Sequence, residues 1–400
     1  MPVAGARGYA RAMTALQPGT DALRALWALD PSVDFLNHGS FGATPRRVLA
    51  AQRRWRDEME AEPVDFLARR LPALLAGVRA EVAAFLDGDA DGLVLVPNAT
   101  TGVNTVLRAF DWAPGDELLL ADSTYNAVKQ AARSLADRYG VRVVEARVPF
   151  PLSEPAEVTA AFAAAMTERT RLVVVDHVVS ATAVVLPVEA IVATARARGI
   201  ATLVDGAHAP GLLPLSLRAV DADFYTGNLH KWVCTPKGAA VLHVGPAWRG
   251  RLHPLPVSHA YGAGLGAEFD WTGTADPSAW LAVPDALALF GEMGWDAIRA
   301  ANHALVRAGR EIVADALGSA LPHPDDPRLY GPMATIRVPW ADPADDRKLA
   351  ALGARLFAEH RVEVPFTRYD GRAWVRISGQ LYNRPEQYER LAAILRAWRG

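Results

Sequence analysis

Short apolar runs recur along the first half of the chain, separated by amphipathic stretches. LVLVP (93–97), ELLLA (117–121), VRVVEAR (141–147), RLVVVDHV (171–178) and ATLVDGA (201–207) are dense in aliphatic and β-branched residues. Such runs, lacking polar alternation, predict strands buried on both faces. TTGVNTVLRAF and residues 125–139, 155–167 and 188–199 carry helical spacing between them. DFYTGN and GAAVLHV predict further strands near 223–228 and 238–244. Strand–helix alternation of this kind predicts a mostly parallel α/β sheet flanked by helices.

The pattern differs at both ends. Residues 1–32 read as a weakly structured leader. Arg7 and Arg11, with no acid before Asp21, are compatible with a transit peptide, but an unstructured leader fits the composition better. VDFLNHGSFGATP (33–45) reads as a loop, Pro45 opens a helix to about Glu60, and a second helix runs over 71–86 until Asp87-Gly88. After about residue 275 two helices are expected over 277–319, then MATIRVP (333–339), a helix near 345–360, VEVPFTR, AWVRIS and a C-terminal helix. Strands at hairpin-like spacing beside helices predict a smaller α+β unit. The expected division is 33–275 for a large domain and 276–400 for a small one, with 33–62 joining the small domain or a subunit interface.

Composition narrows the chemistry. The 400 residues carry 42 Lys+Arg against 44 Asp+Glu, so nothing advertises nucleic acid or an anionic membrane as a partner. No apolar run reaches the roughly 18–20 residues needed to span a bilayer, and a cytoplasmic protein is expected. Cys234 is the single cysteine, which excludes an intramolecular disulfide framework and a Cys-rich metal site; no metal is expected. Phosphate-loop, zinc-helix and nucleophile-elbow motifs are absent. YGAGLG (261–266) lacks a preceding strand and reads as a flexible loop, able to serve as a lid.

The informative pair is Asp205, ending the apolar run in TLVDGAHAPG, and Lys231, 26 positions later in FYTGNLHKW. Ligands of open α/β sheets lie beyond the carboxyl ends of strands, where both residues fall. A carboxylate that keeps a pyridine nitrogen protonated and an amine that forms a Schiff base are the two anchors of pyridoxal 5′-phosphate, PLP. VPNATTGVN (96–104) runs from strand to helix start, where free N–H groups and the helix dipole favour a dianion. Thr100 or Thr101 could hold a phosphate there or simply cap the helix. Asn228 and His230 flank the lysine and offer further donors. Tyr125, in DSTYNAV, could stack on a pyridine face or be a partly buried tyrosine.

These motifs, with LNHGSFGATP, EPVDFLARRLP, EFDWTGTADPSAW and WVRIS, resemble the class V aminotransferase family of PLP fold type I enzymes. Within it, the isopenicillin N epimerase-like branch is most similar, over about residues 33–384. The resemblance implies Lys231 as the Schiff-base lysine and acid/base at Cα, acting through an external aldimine. It implies Asp205 at the pyridine nitrogen and His208 near the phenolic oxygen. It assigns Thr100, Thr101, Asn228 and His230 to the phosphate, with Thr274 reaching the phosphate of a neighbouring subunit in a homodimer. Tyr125 takes the stacking place, and Arg376 would grip the substrate carboxylate, a task suited to a bidentate guanidinium. Asn37, His38 and Tyr261 would line the substrate side. Ala183, in HVVSATAVVLP, stands where relatives commonly carry Gly, which weakens the expected cofactor contact of Ser180.

Three readings stay open at this point. One is an epimerase-like enzyme acting at Cα of an amino acid, in secondary metabolism. Another is a C–S lyase or deaminating enzyme on an S-substituted cysteine, or an aminotransferase, since one constellation supports several outcomes. The last is a non-catalytic homologue. A second acid facing Lys231 has four candidates: Tyr125, His38, His259 and Tyr261. Cys234, three residues past Lys231, is expected to be a packed interior thiol and not a persulfide carrier.

Overall fold

A computed structural model describes residues 17–342 and 345–399. Its central sheet contains β2 (Leu93–Val96), β3 (Glu117–Ala121), β4 (Arg142–Ala146), β5 (Thr170–Asp176), β6 (Ala201–Asp205), β7 (Phe224–Asn228) and β8 (Ala240–Val244), in the order β2-β8-β7-β6-β5-β3-β4. β1 (Asp34–Phe35) lies outside it. All seven point the same way except β8, which is antiparallel to both neighbours, so the sheet is mixed. The strand expectations hold closely because aliphatic runs that cannot face water on either side leave few alternatives. β4 departs from that reading. It is an edge strand with Val143 exposed, and Glu145 there pairs with Lys129. The other edge, β2, is buried and packs against the Leu71–Phe85 and Leu265–Asp270 helices, where Arg79 pairs with Asp270.

The parallel arrangement puts the carboxyl ends of β2, β3, β5, β6 and β7 on one edge. Asn98, Asp122 to Tyr125, Asp176, Asp205 and Asn228 all lie at or just past those ends.

A second sheet, β11 (Phe366–Tyr369), β12 (Arg372–Ser378) and β9 (Met333–Arg337) in that order, is antiparallel. The Trp295–Leu317, Asp346–His360 and Pro385–Ala397 helices share its apolar core. β1 pairs in parallel with β10 (Val362–Glu363), whereas the Arg46–Ala61 helix packs into the core of the central sheet.

The helices Ser278–Leu281 and Val283–Met293 pack into the core of the central sheet. Residues 17–32 are ordered: Thr20 caps a short helix, and Trp27 is buried on Tyr382 with its indole N–H donating to Ala43 O at 3.3 Å. Residues 1–16 of the expected leader lie outside the described residues. The 33–45 loop contains a strand and a helical turn, His38–Phe41. YGAGLG is tethered: Glu268 accepts from Gly262 N and lies 2.7 Å from His253 Nδ1.

Candidate active site

Lys231 sits in a single helical turn, Leu229–Trp232, immediately after β7. Its Nζ lies 3.1 Å from His208 Nε2. Burial and the nearby Arg376 charge lower its pKa to about 7, against the opposing pull of Asp205 and Asp176. His208 follows β6, and burial keeps its imidazole neutral. With Nε2 accepting from the amine, Nδ1 carries the hydrogen, and that buried N–H has no partner among the described residues.

Asp205 ends β6 and accepts from Ala207 N at 3.0 Å. Asp176 ends β5 in direct register with it. Two buried carboxyls side by side hold their protons more tightly than exposed ones, through burial first and, for Asp176, through Asp205. Asp176 Oδ1 accepts from Tyr125 N at 3.3 Å, while Oδ2 is buried without a partner. An apolar run ending in Asp, the signal that marks Asp205, is equally present at RLVVVD, so Asp176 is legible in the sequence by the same pattern.

The Ala99–Arg108 helix begins where β2 ends. Asn98 caps it, accepting from Thr101 N at 2.8 Å and Thr101 Oγ1 at 3.1 Å. Asn228 Oδ1 accepts from Ala99 N at 2.9 Å, linking β7 to that helix start. Thr100 is exposed, and its hydroxyl has no partner among the described residues. His230 Nδ1 lies 3.1 Å from the Ala239 carbonyl and must donate there. Burial and Lys231 lower its pKa to about 4, so in this state Nε2 offers an anion a lone pair and no hydrogen.

The arginine end is assembled differently. Arg376, on β12, is buried. Its Nη1 donates to Ser180 O at 2.6 Å and Ser180 Oγ at 3.1 Å; its Nη2 donates to Asn37 Oδ1 at 3.3 Å and Ser40 Oγ at 2.9 Å. Every partner is a neutral oxygen, and no carboxylate pairs with it among the described residues. Burial lowers its pKa to about 10, so it remains a cation. Ser180 therefore meets the guanidinium here. Ser40 was missed by sequence reasoning, although it lies in the quoted LNHGSFGATP.

His38 does not line the substrate side. It is fully buried behind the lysine, with Nε2 2.9 Å from Lys231 O and Nδ1 2.8 Å from Tyr382 Oη. The carbonyl can only accept, so Nε2 carries the hydrogen and Nδ1 takes the tyrosine proton. Gly42 makes this approach possible: its φ is +69°, and a Cβ there would collide with the His230 carbonyl. Cys234 packs beside His38, with Sγ 3.6 Å from Nε2, and burial pushes its thiol up to about 12. That is an unreactive interior thiol.

Tyr125 is half exposed at the start of the Asn126–Tyr139 helix. Tyr261, His259 and Thr274 are exposed and stand outside the cluster formed by this chain.

A model of the class V aminotransferases matches residues 37–391. The chain belongs to this family. Isopenicillin N epimerase of Streptomyces clavuligerus is 38% identical, over 94% of this chain and 98% of its own. Putative L-cysteine desulfhydrase 1 of Oryza sativa subsp. japonica is 36% identical, over 89% of this chain and 81% of its own. Among solved structures, the cystine C-S lyase C-DES in complex with its product cysteine persulfide superimposes with a TM-score of 0.76 at 23% identity, covering 91% of this chain and 97% of that one. A cysteine desulfurase of Thermococcus onnurineus reaches 0.77 at 18% identity, covering 96% and 99%. These two likenesses show the shared fold.

The family's cofactor is pyridoxal 5′-phosphate, and the residues present fit it. The orphaned His208 N–H awaits an acceptor oxygen. The adjacent acids Asp176 and Asp205 await a cation, such as a protonated ring nitrogen. Lys231 is a buried amine with a lowered pKa beside both.

Proposed function

We propose that the chain is a PLP-dependent enzyme acting at the α-carbon of an amino acid with a free carboxylate, in the manner of its isopenicillin N epimerase relative. The supporting observation is Arg376. A buried guanidinium without a counter-ion is costly unless something anionic arrives, and this one sits within the electrostatic reach of Lys231. Asp205 would hold the ring nitrogen. His208 would hold the phenolic oxygen. Thr100, Thr101, Asn228 and the helix start would hold the phosphate, with His230 joining once protonated.

PLP, when bound, supplies an aldehyde that joins the substrate amine and accepts the electron pair released at Cα. The protein does the rest. Arg376 fixes the carboxylate and so sets which Cα bond faces the cofactor. Lys231 takes and returns the proton at Nζ; with a pKa near 7 it is largely neutral above that pH and can accept. His208, neutral and bonded to the amine, orients it without adding charge. His38 and Tyr382 fix the lysine's main chain from behind.

A C–S lyase reading also stands, favoured by the likeness to the rice desulfhydrase. In that case the same proton removal is followed by loss of a β-substituent. Incubation with S-substituted cysteines separates the two: equimolar pyruvate and thiol identify the lyase, whereas inverted substrate with an intact side chain identifies the epimerase. A colourless protein that takes up no added PLP refutes both.

The same proposal includes a homodimer in which Thr274 reaches the phosphate site of the neighbouring subunit. A cytoplasmic setting fits a chain with one buried thiol, and secondary metabolism follows the epimerase likeness.

A further inference from the structure

The loop after β5 is held by the C-terminal sheet through three consecutive carbonyls. Arg376 on β12 donates to Ser180 O at 2.6 Å, Thr367 Oγ1 on β11 donates to Ala181 O at 3.2 Å, and Thr335 Oγ1 on β9 donates to Thr182 O at 2.8 Å. One donor comes from each strand. Thr335 is the register partner of Arg376, and Thr367 opposes Trp374, two residues before Arg376, so all three side chains leave the same face of the sheet. The loop is shaped to meet them. Ala183 adopts φ +61° and is buried, its N–H donating to Val179 O at 2.8 Å. That left-handed turn is unfavourable for alanine and persists only where surroundings over-determine it. Val185 N also bonds Leu329 O at 2.9 Å.

We infer that Thr335 and Thr367 are positioning residues for the substrate-carboxylate site: by holding the 181 and 182 carbonyls they fix Ser180 against Arg376, so the guanidinium is oriented before substrate arrives. The inference rests on the proposed carboxylate role of Arg376. Without the two hydroxyls, the Ala181 and Thr182 carbonyls lose their side-chain donors, the loop relaxes, and the Ser180–Arg376 bond goes with it. Nη2 keeps Asn37 and Ser40, but no anion among the described residues replaces the lost Nη1 contacts.

The test uses two carbonyl reagents that attack PLP irrespective of substrate specificity: aminooxyacetate, which carries a carboxylate, and O-methylhydroxylamine, which does not. Loss of the visible band of the holoenzyme gives a rate constant for each, and their ratio measures carboxylate capture. In the Thr335→Val/Thr367→Val double variant the ratio should fall about tenfold, with the starting spectrum unchanged, because loosened orientation weakens capture and not cofactor binding. Serine at both positions should restore it. An unchanged ratio, or equal slowing with both reagents, overturns the inference. Should the double variant not fold, Thr367→Val alone decides: the expected fall is about threefold, and an unchanged ratio overturns it. Arg376→Ala is the control that separates the two levels. If it leaves the wild-type ratio intact, the carboxylate role itself fails. If it abolishes the ratio while the threonine variants keep it, only the positioning inference falls.

Discussion

The lysine end and the arginine end of the site lie close enough to feel each other's charge, yet they are built by opposite strategies. The lysine end is local. Asp176, Asp205, Asn228 and Lys231 stand at the carboxyl ends of three neighbouring strands, and the sheet itself brings them together. The arginine end is remote. Arg376 receives its partners from residue 180 and from residues 37 and 40, two segments far from it and from each other in the chain. A second contrast follows. The lysine end sets a buried amine of lowered pKa beside two buried acids, a donor set suited to a bound cofactor, whereas the arginine end satisfies its cation with neutral oxygens alone. A cation lacking its anion suits a ligand that comes and goes.

Perturbing each end should therefore produce different losses. Lys231→Ala has the largest expected effect: the visible band disappears and turnover falls at least about 10³-fold, as expected when a covalent anchor that also moves the proton is removed. Parallel absorbance and rate measurements check it. Arg376→Ala should leave the band intact and weaken binding of free amino acids by about 100-fold, the scale of two charge-assisted hydrogen bonds. Spectral titration with an amino acid and its amide checks this, and equal weakening of both would erase the contrast. A pH series sharpens the lysine end. Its pKa is lowered to about 7, so the amine is protonated and unreactive below that value and nucleophilic above it. PLP capture by apoprotein should accelerate with rising pH, with a midpoint near 7; a midpoint near that of ordinary lysine would contradict the burial argument. The smallest effects belong to the scaffold. Ala183→Gly should stabilise by about 1 kcal/mol in a urea titration, because glycine tolerates the left-handed turn. Cys234→Ala should leave turnover within about twofold, at a stability cost of about 1 kcal/mol; a folded, PLP-loaded but inactive variant would return the thiol to the chemistry.

The same contrast explains what the sequence could convey. The strands of the central sheet announce themselves because an aliphatic run buried on both faces has few other structures open to it, and an acid or lysine just past such a run falls at the ligand edge. Asp205 and Lys231 were legible in that way, as Asp176 would have been. Arg376 emerged only from the family resemblance. Its partners depend on β1 pairing with β10 and on the 180–183 turn, which no local pattern encodes. His38 shows the limit most clearly. It is a polar residue in a motif beside the site, and it serves the lysine's backbone instead of the substrate. The ordered 17–32 segment was unreadable for the same reason, since Trp27 is buried only because Tyr382 and Phe290 come to meet it.

Exchange at Cα tests the central claim most directly. PLP-loaded protein is incubated in deuterated water with candidate amino acids, and deuterium at Cα is followed by mass spectrometry. The account predicts incorporation that requires a free carboxylate, is lost in Lys231→Ala and is weakened in Arg376→Ala. Deuterium entering equally well in the Lys231→Ala protein, or in amides as fast as in acids, would contradict it.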